Sequence, residues 1–271
     1  MQILVIGSGR MGSAILKSWH PEVFKLHSIT VVENNTYKRL EVKKKFKKCK
    51  VVSKLPMGWQ GKYLFLAVKP QNFLEIADLI KKNSIESNFV ISIMAGLKAN
   101  YIKEQLKIAT NVIRLMPNIA TEVSEGIGCL FVKNKICKKN ISEIEEMLKP
   151  MGEIVWLKKE ELIDSVTALS GSGPAYFFLF LKILSKIGKE LGFNDEMARL
   201  IVIQTAIGSL EMVKRERDLN KLIKYVTSQG GTTEAALNVF SSSDNNLEKI
   251  IKKAILAARK RSRELSKGFK Q

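Results

Sequence analysis

The chain opens on an unbroken apolar run, Ile3-Leu4-Val5-Ile6, that passes straight into Gly7-Ser8-Gly9-Arg10-Met11-Gly12. A short continuous apolar run ending in glycines predicts a strand buried on both faces, and residues 13–19 behind it read as a helix. The alternation recurs through the first half. Strands are expected at residues 29–33, 50–52, 63–68, 89–93 and 111–115, with two more, 127–132 and 153–157, near the sheet edge. Helices are expected from residue 38 onward with Leu40 and Phe46 facing inward, over 71–82 with Phe73, Leu74, Ile76, Leu79 and Ile80 at helical spacing, and over 101–107. Continuous apolar strands alternating with helices imply a parallel sheet covered on both faces.

After about residue 160 the pattern changes. Helical periodicity runs over 161–191, broken at Gly171-Ser172-Gly173-Pro174, and then over 195–217, 220–227, 232–240 and 247–267. No strand is expected there. Ala175-Tyr176-Phe177-Phe178-Leu179-Phe180-Leu181 is apolar almost all round. Such a helix is either central to a core or pressed against another subunit. The expected fold class is α/β: a Rossmann-like doubly wound sheet in residues 1–159, followed by an all-α domain in residues 160–271.

Composition narrows this picture. Of 271 residues, 45% are hydrophobic and 26% charged, as in an ordinary soluble protein. No stretch approaches the ~18 consecutive apolar residues of a membrane helix. The N-terminal run is too short for a signal peptide and lacks a basic lead-in. Cys49, Cys129 and Cys137 show no C-x-x-C pairing, so neither a disulfide framework nor a zinc or other metal site is expected, and the cytoplasm is the default compartment. His20 and His27 both fall between the first helix and the next strand, a poor place for a general base. The net charge is +19, densest at Lys43-Lys44-Lys45-Phe46-Lys47-Lys48, but no aromatic-interleaved patch accompanies it. Specific nucleic-acid binding is therefore not expected; a positive field that draws in anionic cofactors and acids is.

The chemistry-bearing residues sit at strand ends, where a doubly wound sheet presents its ligands. In the glycine motif Gly7 permits the tight turn, Gly9 lets backbone approach a pyrophosphate, and Gly12 lets helix and strand pack closely. Glu33 closes the second strand about 20 residues later, where an acid accepts hydrogen bonds from an adenosine ribose. Lys38, Arg39 and Lys54 lie near enough to serve a 2′-phosphate instead, so the choice between NAD and NADP stays open. Ala67-Val68-Lys69-Pro70, Met94-Ala95-Gly96 and Met116-Pro117-Asn118 follow three further strands. Each alone is a strand-ending turn; together they surround one crevice. In the second half, Ser228-Gln229-Gly230-Gly231-Thr232-Thr233 joins two helices. It reads either as an anion cradle at a helix start or as a glycine-rich turn with Thr232 as its N-cap.

Five motifs in order carry a resemblance: Gly7-x-Gly9-x-Met11-Gly12, Ala67-Val68-Lys69-Pro70, Arg114-x-Met116-Pro117-Asn118, Ala168-Leu169-Ser170-Gly171-Ser172-Gly173-Pro174-Ala175-Tyr176, and Val226-Thr227-Ser228-x-Gly230-Gly231-Thr232-Thr233. Across essentially its whole length the chain resembles pyrroline-5-carboxylate reductase. The resemblance implies hydride transfer from NADPH or NADH to C5 of L-1-pyrroline-5-carboxylate, giving L-proline. It also implies a homodimer intertwined through the helical domain, with active sites at the dimer interface and dimers that often assemble into decamers. The resemblance assigns Ser228, Gly230, Gly231, Thr232 and Thr233 to the substrate, with Thr233 and Glu216 as candidate catalytic residues. Glu216 is placed near the ring nitrogen, although Lys214-Arg215-Glu216-Arg217 reads equally as a charged surface. Candidate cofactor residues are Gly7, Ser8, Gly9, Arg10, Met11, Gly12, Glu33, Asn35, Val68, Lys69, Pro70 and Ala95. Two positions depart from the family: Gln229 replaces the usual proline, and Asn35 replaces an arginine common in NADP-preferring members.

Two rivals were open. A β-hydroxyacid dehydrogenase needs a lysine in the glycine-bearing helix of its second domain, and none follows Pro174 before Lys182. A reductase-like nucleotide-binding protein with a regulatory or nucleic-acid role would not need the intact Ser228–Thr233 loop.

Overall fold

The computed structural model describes residues 1–108, 111–243 and 246–268; residues 269–271, the end of the expected second domain, lie outside them. Two compact units emerge: Met1–Pro174 together with the chain from Ala258 onward, and Ala175–Ala257.

The first unit is built on strands β1 (Gln2–Ile6), β2 (Ser28–Val32), β3 (Lys50–Val52), β4 (Gln60–Leu66), β5 (Glu86–Ser92), β6 (Asn111–Met116), β7 (Gly126–Val132) and β8 (Gly152–Trp156). Their order is β3-β2-β1-β4-β5-β6-β7-β8. From β3 to β6 the pairing is parallel, with Ile3 opposite both Ile29 and Tyr63. The reversal of direction in strand order beside β1 opens a crevice at the strands' carboxyl ends. One expectation fails at the edge: β7 runs antiparallel to β6, with Leu115 opposite Leu130, and β8 is parallel to β7. Apolar runs carry no record of strand direction, so only the connections decide it.

Side chains alternate between two cores, one on each face of the sheet. Ile3, Val5, Val31, Phe65 and Ile91 face one core; Leu4, Ile6, Leu64, Leu66 and Val90 face the other. The first core is covered by α1 (Arg10–Trp19), α2 (Glu22–Leu26), α3 (Thr36–Lys45) and α6 (Lys138–Leu148). The second is covered by α4 (Phe73–Lys82) and α5 (Ala99–Leu106). Trp19 on α1 meets Phe65 edge-on at 4.8 Å. Helix α3 corrects a second expectation. It starts two residues early, with the Asn35 side chain accepting the Lys38 N–H as its N-cap, and it buries Val42 while Leu40 is exposed. Phe46 is buried, but beyond the helix end, stacked on Phe24.

The segment leading out of the sheet comprises α7 (Leu162–Val166), a π-helical turn at Thr167–Gly171 and α8 (Gly173–Glu190). The second unit continues with α9 (Asp195–Arg215), α10 (Leu219–Val226), α11 (Thr232–Ser241) and the start of α12 (Leu247–Gly268). By length and composition the run Leu162–Glu190 could cross a membrane, with mean hydropathy 1.2 over a window that is 11% buried. The average is reached without ~18 consecutive apolar residues: polar interruptions such as Lys182 and Lys186 keep the apolar run short without lowering its mean far enough.

Candidate active site

The glycine turn fits a dinucleotide by its geometry. Gly7 has φ +94°, and a Cβ there would lie 2.6 Å from the Ala67 carbonyl oxygen. A Cβ on Gly12 would lie 2.7 Å from the Gly7 carbonyl oxygen, whereas nothing lies within 4 Å of one on Gly9. The turn is thus tight against β4 on one side and open above Gly9, where a pyrophosphate needs backbone access. Gly7 N–H donates to the Val32 carbonyl at 2.9 Å, and Ser13 N–H to Gly9 at 2.8 Å, starting α1. That helix has no side-chain cap, so its opening N–H groups and dipole face an anion site.

Around the turn lies a crevice of about 710 Å³, lined among others by Gly7, Gly9, Glu33, Lys38, Lys54, Val68 and Lys69. Of the expected cofactor residues, Gly7, Gly9, Glu33, Val68 and Lys69 therefore share one cavity. Ser8 and Arg10 line an adjoining recess of about 680 Å³, which Lys38 also reaches. Met11 packs against the core under β1, Pro70 opens a single 3-10 turn, and Asn35 caps α3. Ala95 packs beside Met116, Phe131 and Ile163. Asn34, Ser53, Leu55 and Asn72 also line the crevice, and sequence reading missed them. The signal was available for one of them: Ser53 directly follows β3, as the strand-end rule requires.

Glu33 is 7% exposed. Burial alone would raise its carboxyl, but the Ser8 hydroxyl, the Asn35 and Ser8 N–H groups and Lys38 outweigh this and hold it below the ordinary range. The Arg39 guanidinium is turned largely toward its own chain: it donates to the Glu33 and Asn34 carbonyls at 3.1 and 3.0 Å and to the Thr36 hydroxyl at 3.2 Å.

Deeper in the same unit Arg114 is buried on β6. It donates to Glu160 Oε1 at 3.2 Å, and the same oxygen accepts the Ala99 N–H at 2.7 Å. Burial lowers the Arg114 pKa, with Glu160 and Asp164 acting against that. Asn118, just past β6, donates to the Ser170 hydroxyl in the π-helical turn at 3.3 Å. These links tie the strand-end motif to the segment that leaves the sheet.

In the helical unit, the loop after α10 holds Gly230 at φ +70°. Gly231 is the N-cap of α11, and the helix starts at Thr232. The reading with Thr232 as N-cap is thereby corrected: Gly231 supplies the extended conformation, and no side chain caps the helix. The Gly230 N–H, one residue before the N-cap, donates to Glu234 Oε2 at 2.7 Å, so one amide of the cradle already meets a carboxylate. Thr233 lies in the first turn. Glu216 caps the end of α9, is partly exposed, pairs with Lys221 and accepts the Asp218 N–H at 3.2 Å. Lys221 first, then the Asp218 N–H, lower its pKa. It is a permanently charged carboxylate at neutral pH.

Comparison with known proteins agrees with both halves. Residues 160–265 match the family described as pyrroline-5-carboxylate reductase dimerisation, and residues 2–96 match NADP oxidoreductase coenzyme F420-dependent. The pyrroline-5-carboxylate reductase of Vibrio alginolyticus is 31% identical over 270 residues, covering 99% of this chain and 98% of that protein. That of Pasteurella multocida is 32% identical, with 98% of each covered. Among solved structures, the Coxiella burnetii reductase superposes with a TM-score of 0.84 at 31% identity, covering 97% of this chain and 98% of that one. The Plasmodium falciparum enzyme, crystallised with NADP, shares the fold at 24% identity with a TM-score of 0.81, over 98% of each chain. Full-length identity of this order, over a glycine cradle and a helical half of matching kind, leads to one assignment: the chain belongs to the pyrroline-5-carboxylate reductase family.

Proposed function

We infer that this protein reduces L-1-pyrroline-5-carboxylate to L-proline with NAD(P)H, as a homo-oligomer. The observation that carries the reading is full-length kinship joined to a turn that is closed against β4 and open above Gly9. The bound cofactor supplies a hydride. Gly7, Ser8, Gly9, Arg10, Met11 and Gly12 form or support the phosphate grip, and Val68 and Lys69 shape the crevice wall, with Pro70 and Ala95 outside its lining on the segments that follow β4 and β5. The substrate ring gains hydride at C5, and its nitrogen, already protonated as an iminium, becomes the amine. Such an electrophile needs placement more than acid catalysis, which suits a chain whose two histidines lie off the strand ends.

Ser228, Gly230, Gly231, Thr232 and Thr233 hold the substrate carboxylate at the start of α11, with Thr233 adding its hydroxyl. For Gly230 to contribute its N–H, the Glu234 carboxylate must give way to that of the substrate. Glu216 stabilises the ring-nitrogen charge, directly or through water; its charged state supports this, and its exposure leaves room for a ligand. Functionally the chain divides into residues 1–159 for the dinucleotide and 160–271 for subunit pairing and substrate. The reading extends to dimers assembled into decamers in the cytoplasm, with no specific nucleic-acid or membrane partner. Its test is absorbance at the reduced-nicotinamide band: decay that requires pyrroline-5-carboxylate and yields proline supports it. No decay with either cofactor, or salt-sensitive DNA retention without turnover, overturns it.

A further inference from the structure

In dinucleotide folds the acid that closes the second strand ordinarily accepts hydrogen bonds from the adenosine ribose. Glu33 occupies that place, yet its carboxylate is engaged within the protein. Oε2 accepts the Ser8 N–H at 3.0 Å and the Ser8 hydroxyl at 2.7 Å, while Oε1 accepts the Asn35 N–H at 2.9 Å. Two donors on one oxygen fill its lone pairs. Ser8 sits between the two glycines that shape the turn, and its carbonyl accepts the Ser13 hydroxyl at 2.8 Å. The carboxylate therefore continues, through Ser8, into the first turn of α1. The neighbouring cation Arg39 braces the Glu33 and Asn34 carbonyls. On the β2–β3 side the cations that line the crevice are Lys38 and Lys54.

We propose that Glu33 is a positioning residue that fastens the phosphate-gripping turn through Ser8, and that Lys38 and Lys54, not Glu33, read the 2′ position and favour NADPH. This rests on the NAD(P)H reading given above. The two roles for Glu33 have opposite signatures. Loosening a turn that grips the pyrophosphate weakens both cofactors alike, because the pyrophosphate is common to them. Removing a ribose acceptor weakens NADH and relieves the repulsion of a 2′-phosphate.

The experiment titrates full-length protein with NADH and with NADPH, following nicotinamide fluorescence without pyrroline substrate, and checks folding by circular dichroism. Wild type is expected to bind NADPH more tightly. Glu33→Gln and Ser8→Ala should each weaken both cofactors by the same factor, roughly 3- to 15-fold. Ser8→Thr, which keeps the hydroxyl, should restore binding. The Glu33→Gln/Ser8→Ala double variant should be no weaker than the worse single, since both remove one link. Lys38→Ala/Lys54→Ala should cost NADPH about tenfold and leave NADH within about twofold. In turnover, cofactor KM should rise in the Glu33 and Ser8 variants while kcat at saturating cofactor holds. Glu33→Gln that tightens NADPH while weakening NADH would overturn the proposal, as would Ser8→Ala with both affinities unchanged. Wild-type protein that bound neither dinucleotide would instead sink the cofactor reading itself, so the two failures are told apart.

Discussion

Val5, Phe65 and Ile91 in the sheet unit are at most 2% exposed, whereas Phe177, Phe178 and Leu200 in the helical unit expose 64%, 63% and 65%. Both stretches are rich in large apolar residues, so composition does not separate them. The sheet brings its own cover, because each βα connection returns a helix to one face or the other. The helical unit has no such device. Ala198 is its one buried hydrophobic residue among those described, pressed against Gly188, where an added Cβ would lie 3.1 Å from the Ala198 Cβ. Phe177, Phe178, Leu179 and Phe180 are consecutive and all exposed, hence on every side of α8. Apolar patches of that extent mark an interaction surface. The family match over 160–265 names what covers it: a second subunit. The membrane-like average of Leu162–Glu190 has the same origin.

The largest effect should come from breaking that borrowed cover. Phe178→Glu puts a charge into a face that pairing would bury, so light scattering should show monomer and kcat/KM should fall more than about 100-fold. Dinucleotide affinity, a property of the sheet unit, should stay within about threefold. A dimer that survives the charge would place the interface elsewhere. Next in size, if Thr233 bonds the substrate as proposed, Thr233→Ala should lower kcat/KM roughly ten- to hundredfold. Unchanged turnover would take Thr233 out of the site.

The sheet unit should respond in stability instead. Arg114→Leu leaves Glu160 without its cation; since that carboxylate is 20% exposed, about 2–3 kcal/mol is expected, seen as a thermal midpoint lower by roughly 5–10 °C. An unshifted midpoint would mean the pair is neutral to folding. The smallest effect is that of pH. Glu33 titrates below its ordinary 4.5 in the folded chain, so its contribution is complete above that value and disappears as pH falls through the lowered one. The stability gap between wild type and Glu33→Gln should therefore be flat near neutrality and close in acid. A gap that widened in acid would contradict the hydrogen bonds seen here.

How much of this was legible beforehand differed by element. The β1-to-α1 passage read clearly because an unbroken apolar run followed by spaced glycines has few other uses. Helix α6 was missed: Lys138–Leu148 buries Ile144, Met147 and Leu148, but all three lie in its second half, behind a polar start. The inward face of α3 was misread because Leu40 and Phe46, six residues apart, lie roughly 120° apart around a helix, and Phe46 falls past its end. At the site, the sequence offered candidate residues but not their engagements. No spacing rule says that Ser8 will claim the Glu33 carboxylate, or that Arg39 will turn to backbone carbonyls. Those depend on which donor lies nearest once the strands have paired.

One contact near the chain's end bears on how the molecule is made. The buried Ser262 hydroxyl donates to Asp164 at 2.7 Å, a partner 98 residues upstream. During synthesis this clasp cannot form until Ser262 has left the ribosome. By then every residue of the helical insertion has already emerged.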